Sequence, residues 1–137
     1  MWIYQGKEFT SADIPEGAEG FVYIITDGDG KKYVGQKRFY SKRKLPPLKG
    51  KSRKRTKIVE SDWLTYFGSS ANVAARLAQE GADAFTREIL HICFSKGELH
   101  YIETKEIILR DALLRDDYYN GIIQCRINRA HLKNMVA

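Results

Sequence analysis

The sequence predicts a small α/β domain, of the α+β kind, in which three strands form a sheet flanked by helices. Three observations predict it. The run Phe-Val-Tyr-Ile-Ile-Thr at 21–26 is β-branched and aromatic, Asp27-Gly28-Asp29-Gly30 supplies turn residues, and a second strand resumes from Lys32 with Tyr33 and Val34, which together read as a hairpin over 21–26 and 32–37. Between Phe85 and Phe94 apolar residues fall on both alternating sets, Leu90, Ile92 and Phe94 against Ile89 and Cys93, as in a third strand near 86–93 buried on both faces. Ser95-Lys96-Gly97-Glu98 has capping-box spacing and opens a helix that the pattern carries to Leu114.

The remaining elements follow in order. Trp2 to Tyr4 is a short aromatic run that fits strand or coil, and Ser11, Pro15 and Gly17 mark a turn-rich connection to the hairpin. Residues 44–60 contain Pro46, Pro47 and Gly50 and nothing apolar between Leu48 and Ile58, which predicts a solvated loop or arm. Trp63, Tyr66 and Phe67 return at near-helical spacing before Gly68 and read as core packing. Ser69 or Ser70 can cap a helix over 71–80 whose alanines favour that state, and Gly81 can end it. A length of 137 residues fits one domain over 1–137 with a single core.

Charge distribution narrows the classes of partner. Eleven Lys or Arg and no acid lie between Lys37 and Lys57, so the rest of the chain carries twelve basic against seventeen acidic residues despite a net charge of +6. One concentrated basic segment on an otherwise acidic protein predicts a polyanionic partner, with nucleic acid foremost. Arg38, Lys42, Lys49, Lys51, Arg53, Lys54, Arg55 and Lys57 are the candidate DNA-binding residues. No stretch approaches the roughly 20 apolar residues of a membrane span and no signal-peptide layout opens the chain, so the expected setting is cytoplasmic with no membrane partner. Cys93 and Cys125 have no ligand-spaced Cys or His beside them and are expected as buried thiols.

Two features point to chemistry. Tyr23 and Tyr33, ten residues apart on paired strands, can bring two phenols to one site, although paired tyrosines in a hairpin are more commonly half-buried sheet residues. Glu103 and Glu106 fall on the apolar stripe formed by Leu99, Ile102, Leu109 and Leu113 of the long helix, where two acids need either cationic partners or a metal ion.

Phe21-Val22-Tyr23 and Tyr33-Val34-Gly35 resemble the two tripeptides that name the GIY-YIG nucleases, at the usual spacing. Gln36 stands where the family has Gln or Ser, and Arg43 where it has an arginine ten residues after the second tyrosine. Glu98-Leu99-His100-Tyr101-Ile102-Glu103 is similar to the family's long helix and puts Glu103 on its metal-binding glutamate. Tyr118-Tyr119-Asn120 puts Asn120 on its asparagine. The likeness spans about residues 20 to 121 and departs from the pattern at Phe21, in the basic Pro-containing insertion, and in the lack of a histidine one turn after Arg43.

This resemblance implies a mainly antiparallel sheet and an endonuclease that hydrolyses DNA with Mg²⁺ or another divalent cation such as Mn²⁺. It implies Tyr23, Tyr33, Arg43, Glu103 and Asn120 as site residues, and phages or mobile elements as a setting. The residue types suit the reaction. A carboxylate at Glu103 can hold an ion that keeps most of its water, an arginine fork matches a phosphate, and either phenol can orient or deprotonate water. Lys37, on the strand face of Tyr33, is a second candidate base or phosphate ligand. A non-catalytic nucleic-acid-binding protein on the same fold and an RNA-directed nuclease are the alternatives.

Overall fold

The computed structural model describes residues 1–135. Its main sheet has five strands rather than three. In chain order these are β1 (Trp2–Tyr4), β2 (Lys7–Phe9), β3 (Gly20–Thr26), β4 (Lys32–Arg38) and, after a separate pair described below, β7 (Thr86–Cys93). They lie in the order β2-β1-β7-β3-β4, with β1 parallel to β7 and every other pairing antiparallel. The sheet grows because β7 would otherwise expose its far edge. Trp2-Ile3-Tyr4 pairs there and carries β2 with it through a turn in which Gln5 and Gly6 both have positive φ. Trp2 is then buried edge-on against Phe21, with ring centroids 5.0 Å apart, and its indole N–H donates to the Trp63 carbonyl at 2.7 Å. The aromatics are plain in the sequence; their partner is not.

The predicted β3–β4 hairpin is present, with Tyr23 opposite Gly35 and Ile25 opposite Tyr33. β3 is central, and its alternation divides the core. Phe21, Tyr23 and Ile25 join Trp2, Phe39, Trp63 and Ile89 on one face. Val22 and Ile24 join Val34, Cys93 and Leu99 on the other. β7 spans the predicted residues and feeds both cores, Ile89 and Ile92 on one face and Leu90 and Cys93 on the other, although Glu88 and His91 are exposed and the register against β3 shifts between Val22 and Tyr23. The bulge lets one strand serve the core without continuous apolar alternation.

Helix α1 (Ala71–Glu80) begins at Ser70, whose hydroxyl accepts from the Val73 amide, and ends at Gly81 with φ 83°, as its sequence predicts. Helix α2 (Lys96–Leu109) is capped by Ser95 but stops five residues before the expected Leu114. Asp111 enters the left-handed region at φ 52°, and the Ala112 amide bonds back to Ile107, burying Ala112. Aspartate tolerates that conformation better than most residues.

The basic segment predicted as a loop is instead a two-stranded ribbon, β5 (Tyr40–Leu45) antiparallel to β6 (Arg55–Glu60). Only Leu45 and Val59 in it are even half-buried, so it has a backbone ladder and almost no core. β-branched Thr56, Ile58 and Val59 favour the extended state.

β4 is an edge strand, and the residues after α2 cover it. Lys32 donates from its amide to the Asp117 carbonyl and accepts from the Tyr119 amide. Cys125, expected as buried, is exposed, whereas Cys93 is a buried free thiol as expected. No helix among the described residues is long and apolar enough to cross a membrane.

Candidate active site

A cleft of about 240 Å³ wraps the covered edge of β4, lined by Tyr23, Tyr33, Gln36, Ser69, Glu103 and Asn120 among others. Both tyrosines reach it from the aromatic face, with ring centroids 6.4 Å apart. Glu103 reaches it from α2 on the opposite face.

Tyr23 comes from the central strand, so its ring must cross β4 to arrive, and it crosses at Gly35. A Cβ there would fall 2.6 Å from Tyr23 Cζ. Gly35 is thus required by close approach rather than by φ. Gly35→Ala is expected to displace the Tyr23 ring, lowering stability by about 1–3 kcal/mol; a denaturant midpoint checks it. An unchanged midpoint would mean that the ring does not occupy that space. Gly68, at φ +93°, turns the chain against the Tyr33 ring and delivers Ser69, whose hydroxyl lies 3.4 Å from that of Tyr33.

A third tyrosine completes the cluster. Tyr66 stands edge-on to Tyr23 at 6.0 Å, and Lys37 sits 4.2 Å over the Tyr66 ring while pairing with Asp62 at 2.6 Å. Burial, with Tyr66 and Tyr33 as neighbours, raises the Tyr23 phenol well above its ordinary value, and burial also raises Tyr33. Neither phenol is a ready base by itself; a nearby cation would lower both.

The two helix acids separate cleanly. Glu106 lies 2.9 Å from His91 and 2.9 Å from Arg110, and although burial would raise its pKa, these partners hold it below the usual range. Glu106 therefore has a cationic partner in Arg110 and a hydrogen-bond partner in His91. Glu103 has no hydrogen bond or ion pair among the described residues, and burial pushes it up to about 7. A desolvated carboxylate without a partner, beside hydroxyl and amide oxygens, fits a divalent cation that keeps much of its water. Among the described residues there is no cluster of three or more His, Cys, Asp or Glu that could enclose a metal by itself.

Asn120 lines the cleft, yet its amide is engaged: Oδ1 accepts from the Val34 amide at 3.0 Å and Nδ2 donates to the Val34 carbonyl at 2.8 Å. It acts as one rung of a strand on the β4 edge. Asp27 fixes the same segment from the hairpin turn. It is nearly fully buried, accepts from the Asp29 and Lys31 amides and from the Tyr119 hydroxyl, and is held below the usual range despite burial because those donors outweigh it.

Arg43 does not reach the cleft. It is exposed on β5, directly opposite Lys57, because the chain after Phe39 runs out into the ribbon. Lys42, Arg55 and Lys57 lie on the same ribbon, Lys49, Lys51, Arg53 and Lys54 in its connection, and Arg38 at its base, 3.4 Å from Glu19. The buried arginine nearest the tyrosines is Arg87, which is structural: it donates to the Leu64 and Tyr66 carbonyls and lies over the Trp2 and Phe67 rings. Sequence reasoning missed Tyr66 and Ser69 as site residues. Their signal was the aromatic run ending at Gly68-Ser69, which resembles ordinary core.

The family described as "Putative endonuclease segE, GIY-YIG domain" matches residues 2–123. No curated protein and no solved structure shows a match.

Proposed function

The chain belongs to the GIY-YIG nuclease family, and from that premise we propose that it is a metal-dependent endonuclease that hydrolyses phosphodiester bonds in DNA. One observation carries the proposal: Glu103, a desolvated carboxylate with no partner among the described residues, shares a cleft with Tyr23 and Tyr33.

In this reading Glu103 holds Mg²⁺ or Mn²⁺, with the remaining positions left to water and substrate phosphate. The bound ion would polarise the phosphoryl oxygens and lower the pKa of water. Tyr33, steadied by Ser69, and Tyr23, fixed over Gly35 and against Tyr66, would orient the attacking water, and one of them, as the tyrosinate that a nearby cation favours, would accept its proton. Lys37 offsets negative charge near the tyrosines through the Tyr66 ring. Asn120 is a positioning residue that locks the β4 edge beneath Tyr33 and Gly35. The ribbon and its connection neutralise backbone phosphates beyond the cleft, which a site this small cannot do alone.

Arg43's place outside the cleft favours the second reading, a DNA-binding protein that keeps the fold without turnover. Incubation with supercoiled plasmid, with Mg²⁺ or Mn²⁺ and with chelator, tests the two. Ion-dependent nicked or linear product is the expected result. Retarded but uncut plasmid in both ions would establish the second reading instead.

A further inference from the structure

A larger groove, of about 630 Å³, lies beside the cleft and shares one wall residue with it, Gln36. Its other walls include Lys37 and Arg38 at the end of β4, Lys42 on β5, and Lys96 and His100 on the first turns of α2. No Asp or Glu lines it. Lys37 and Arg38 are occupied by Asp62 and Glu19, but Lys42 and Lys96 form no ion pair among the described residues.

The groove therefore offers two uncommitted ammonium groups within a cavity of the size that holds small ligands, roughly 300–1,000 Å³. His100 adds a ring nitrogen. Its Nδ1 pairs with the Gln36 side-chain amide at 2.8 Å, which leaves Nε2 for another partner. An Nε2–H and an ammonium suit phosphoryl oxygens, and the exposed Tyr40 ring at the groove wall suits a base or sugar. Two sets of groups then lie in sequence along β4: Tyr23, Tyr33 and Glu103 at Gln36's inner side, and Lys96, His100 and Lys42 at its outer side, leading to the base of the ribbon.

We propose that this groove is a strand-binding subsite, in which Lys96, His100 and Lys42 hold the backbone phosphates of the DNA strand next to the bond being cut. The proposal rests on the nuclease reading above and extends it to residues outside the reacting centre.

The test separates binding from turnover. In chelator, with a Glu103→Ala background that cannot cut, fluorescence anisotropy of a short labelled duplex would be followed across a salt series for the parent and for Lys96→Gln/His100→Gln. Both residues are exposed, so the fold should survive. The expected result is affinity about tenfold weaker and a salt slope shallower by about 0.9 for each phosphate that is no longer neutralised. Lys96→Arg should restore most of the affinity, and Lys105→Gln, on the same helix but lining a different groove, should leave it unchanged. In the cutting-competent chain, the double variant should raise KM with kcat nearly constant. Parallel salt slopes with unchanged affinity would overturn the subsite, as would a fall in kcat at constant KM. Failure of the unmodified chain to cut would count against the nuclease reading and leave the anisotropy comparison standing.

Discussion

Glu103→Ala is expected to remove plasmid cleavage, by on the order of 10²–10³-fold or more, while DNA affinity in chelator stays within a few-fold of the parent. The cleft loses its one uncommitted carboxylate, whereas the cationic ribbon and groove are untouched. Glu106→Ala is the matched control, because it removes an acid from the same helix stripe that is bound to His91 and Arg110. That variant should lose modest stability and keep cutting. The reverse outcome would put the metal one helical turn away.

A stability measurement tests the same assignment without turnover. Because the folded pKa of Glu103 is raised to about 7, the native state binds a proton more tightly than the unfolded chain does. Its destabilising effect is therefore absent in acid, grows as pH rises through the interval from the ordinary carboxylate value to about 7, and is constant above. Metal-free Glu103→Gln should be the more stable chain above pH 7, by on the order of 1–3 kcal/mol once partial exposure is allowed for. Adding Mg²⁺ should raise the melting temperature of the parent and not that of the variant. Equal responses to the ion would sink the assignment.

Tyr23→Phe and Tyr33→Phe should each fold normally, since only a hydroxyl is removed. At least one should cut about 10²–10⁴-fold more slowly if its phenol takes part in proton transfer. The sign of the pH response follows from the raised phenol values. The reactive form is the deprotonated one, so the parent's rate should climb with pH above neutrality, and replacing the responsible tyrosine should flatten that climb. Rates near the parent's in both variants, with a similar slope, would leave water activation to Lys37 or to the metal-bound water alone.

These residues differ in how visible they were. The strands carrying Tyr23 and Tyr33 could be read directly, because a β-branched run, a Gly-rich turn and a second run are local signals. Glu103 was visible as an acid on an apolar stripe and was singled out from Glu106 by the resemblance alone; the structure adds the physical distinction, since Glu106 is bound to His91 from another element and to Arg110 one turn on. Asn120 was matched by motif, yet its pairing with Val34 spans 86 positions and leaves no local pattern. Arg43 shows the opposite failure. Its spacing from Tyr33 fitted the motif, but the intervening chain forms a ribbon, and spacing along a chain has no fixed meaning once an insertion redirects it. The N-terminal strands were obscure for a related reason: three residues are too few for periodicity, and β1 is specified by the unfilled edge of β7.

The covering of β4 by residues 117–120 has a consequence for synthesis. Asp117, Tyr119 and Asn120 close the edge, and Asp27 anchors them, so the cleft cannot be complete until nearly the whole described chain has left the ribosome. A nascent chain ending before Asp117 carries the tyrosines, the glutamate and the basic ribbon, but holds an open strand edge beside them. Such an edge is a template for pairing with other chains. Truncation before Asp117 is therefore expected to leave the β4 edge open to pairing with other chains, so that loss of these few residues reads out as aggregation.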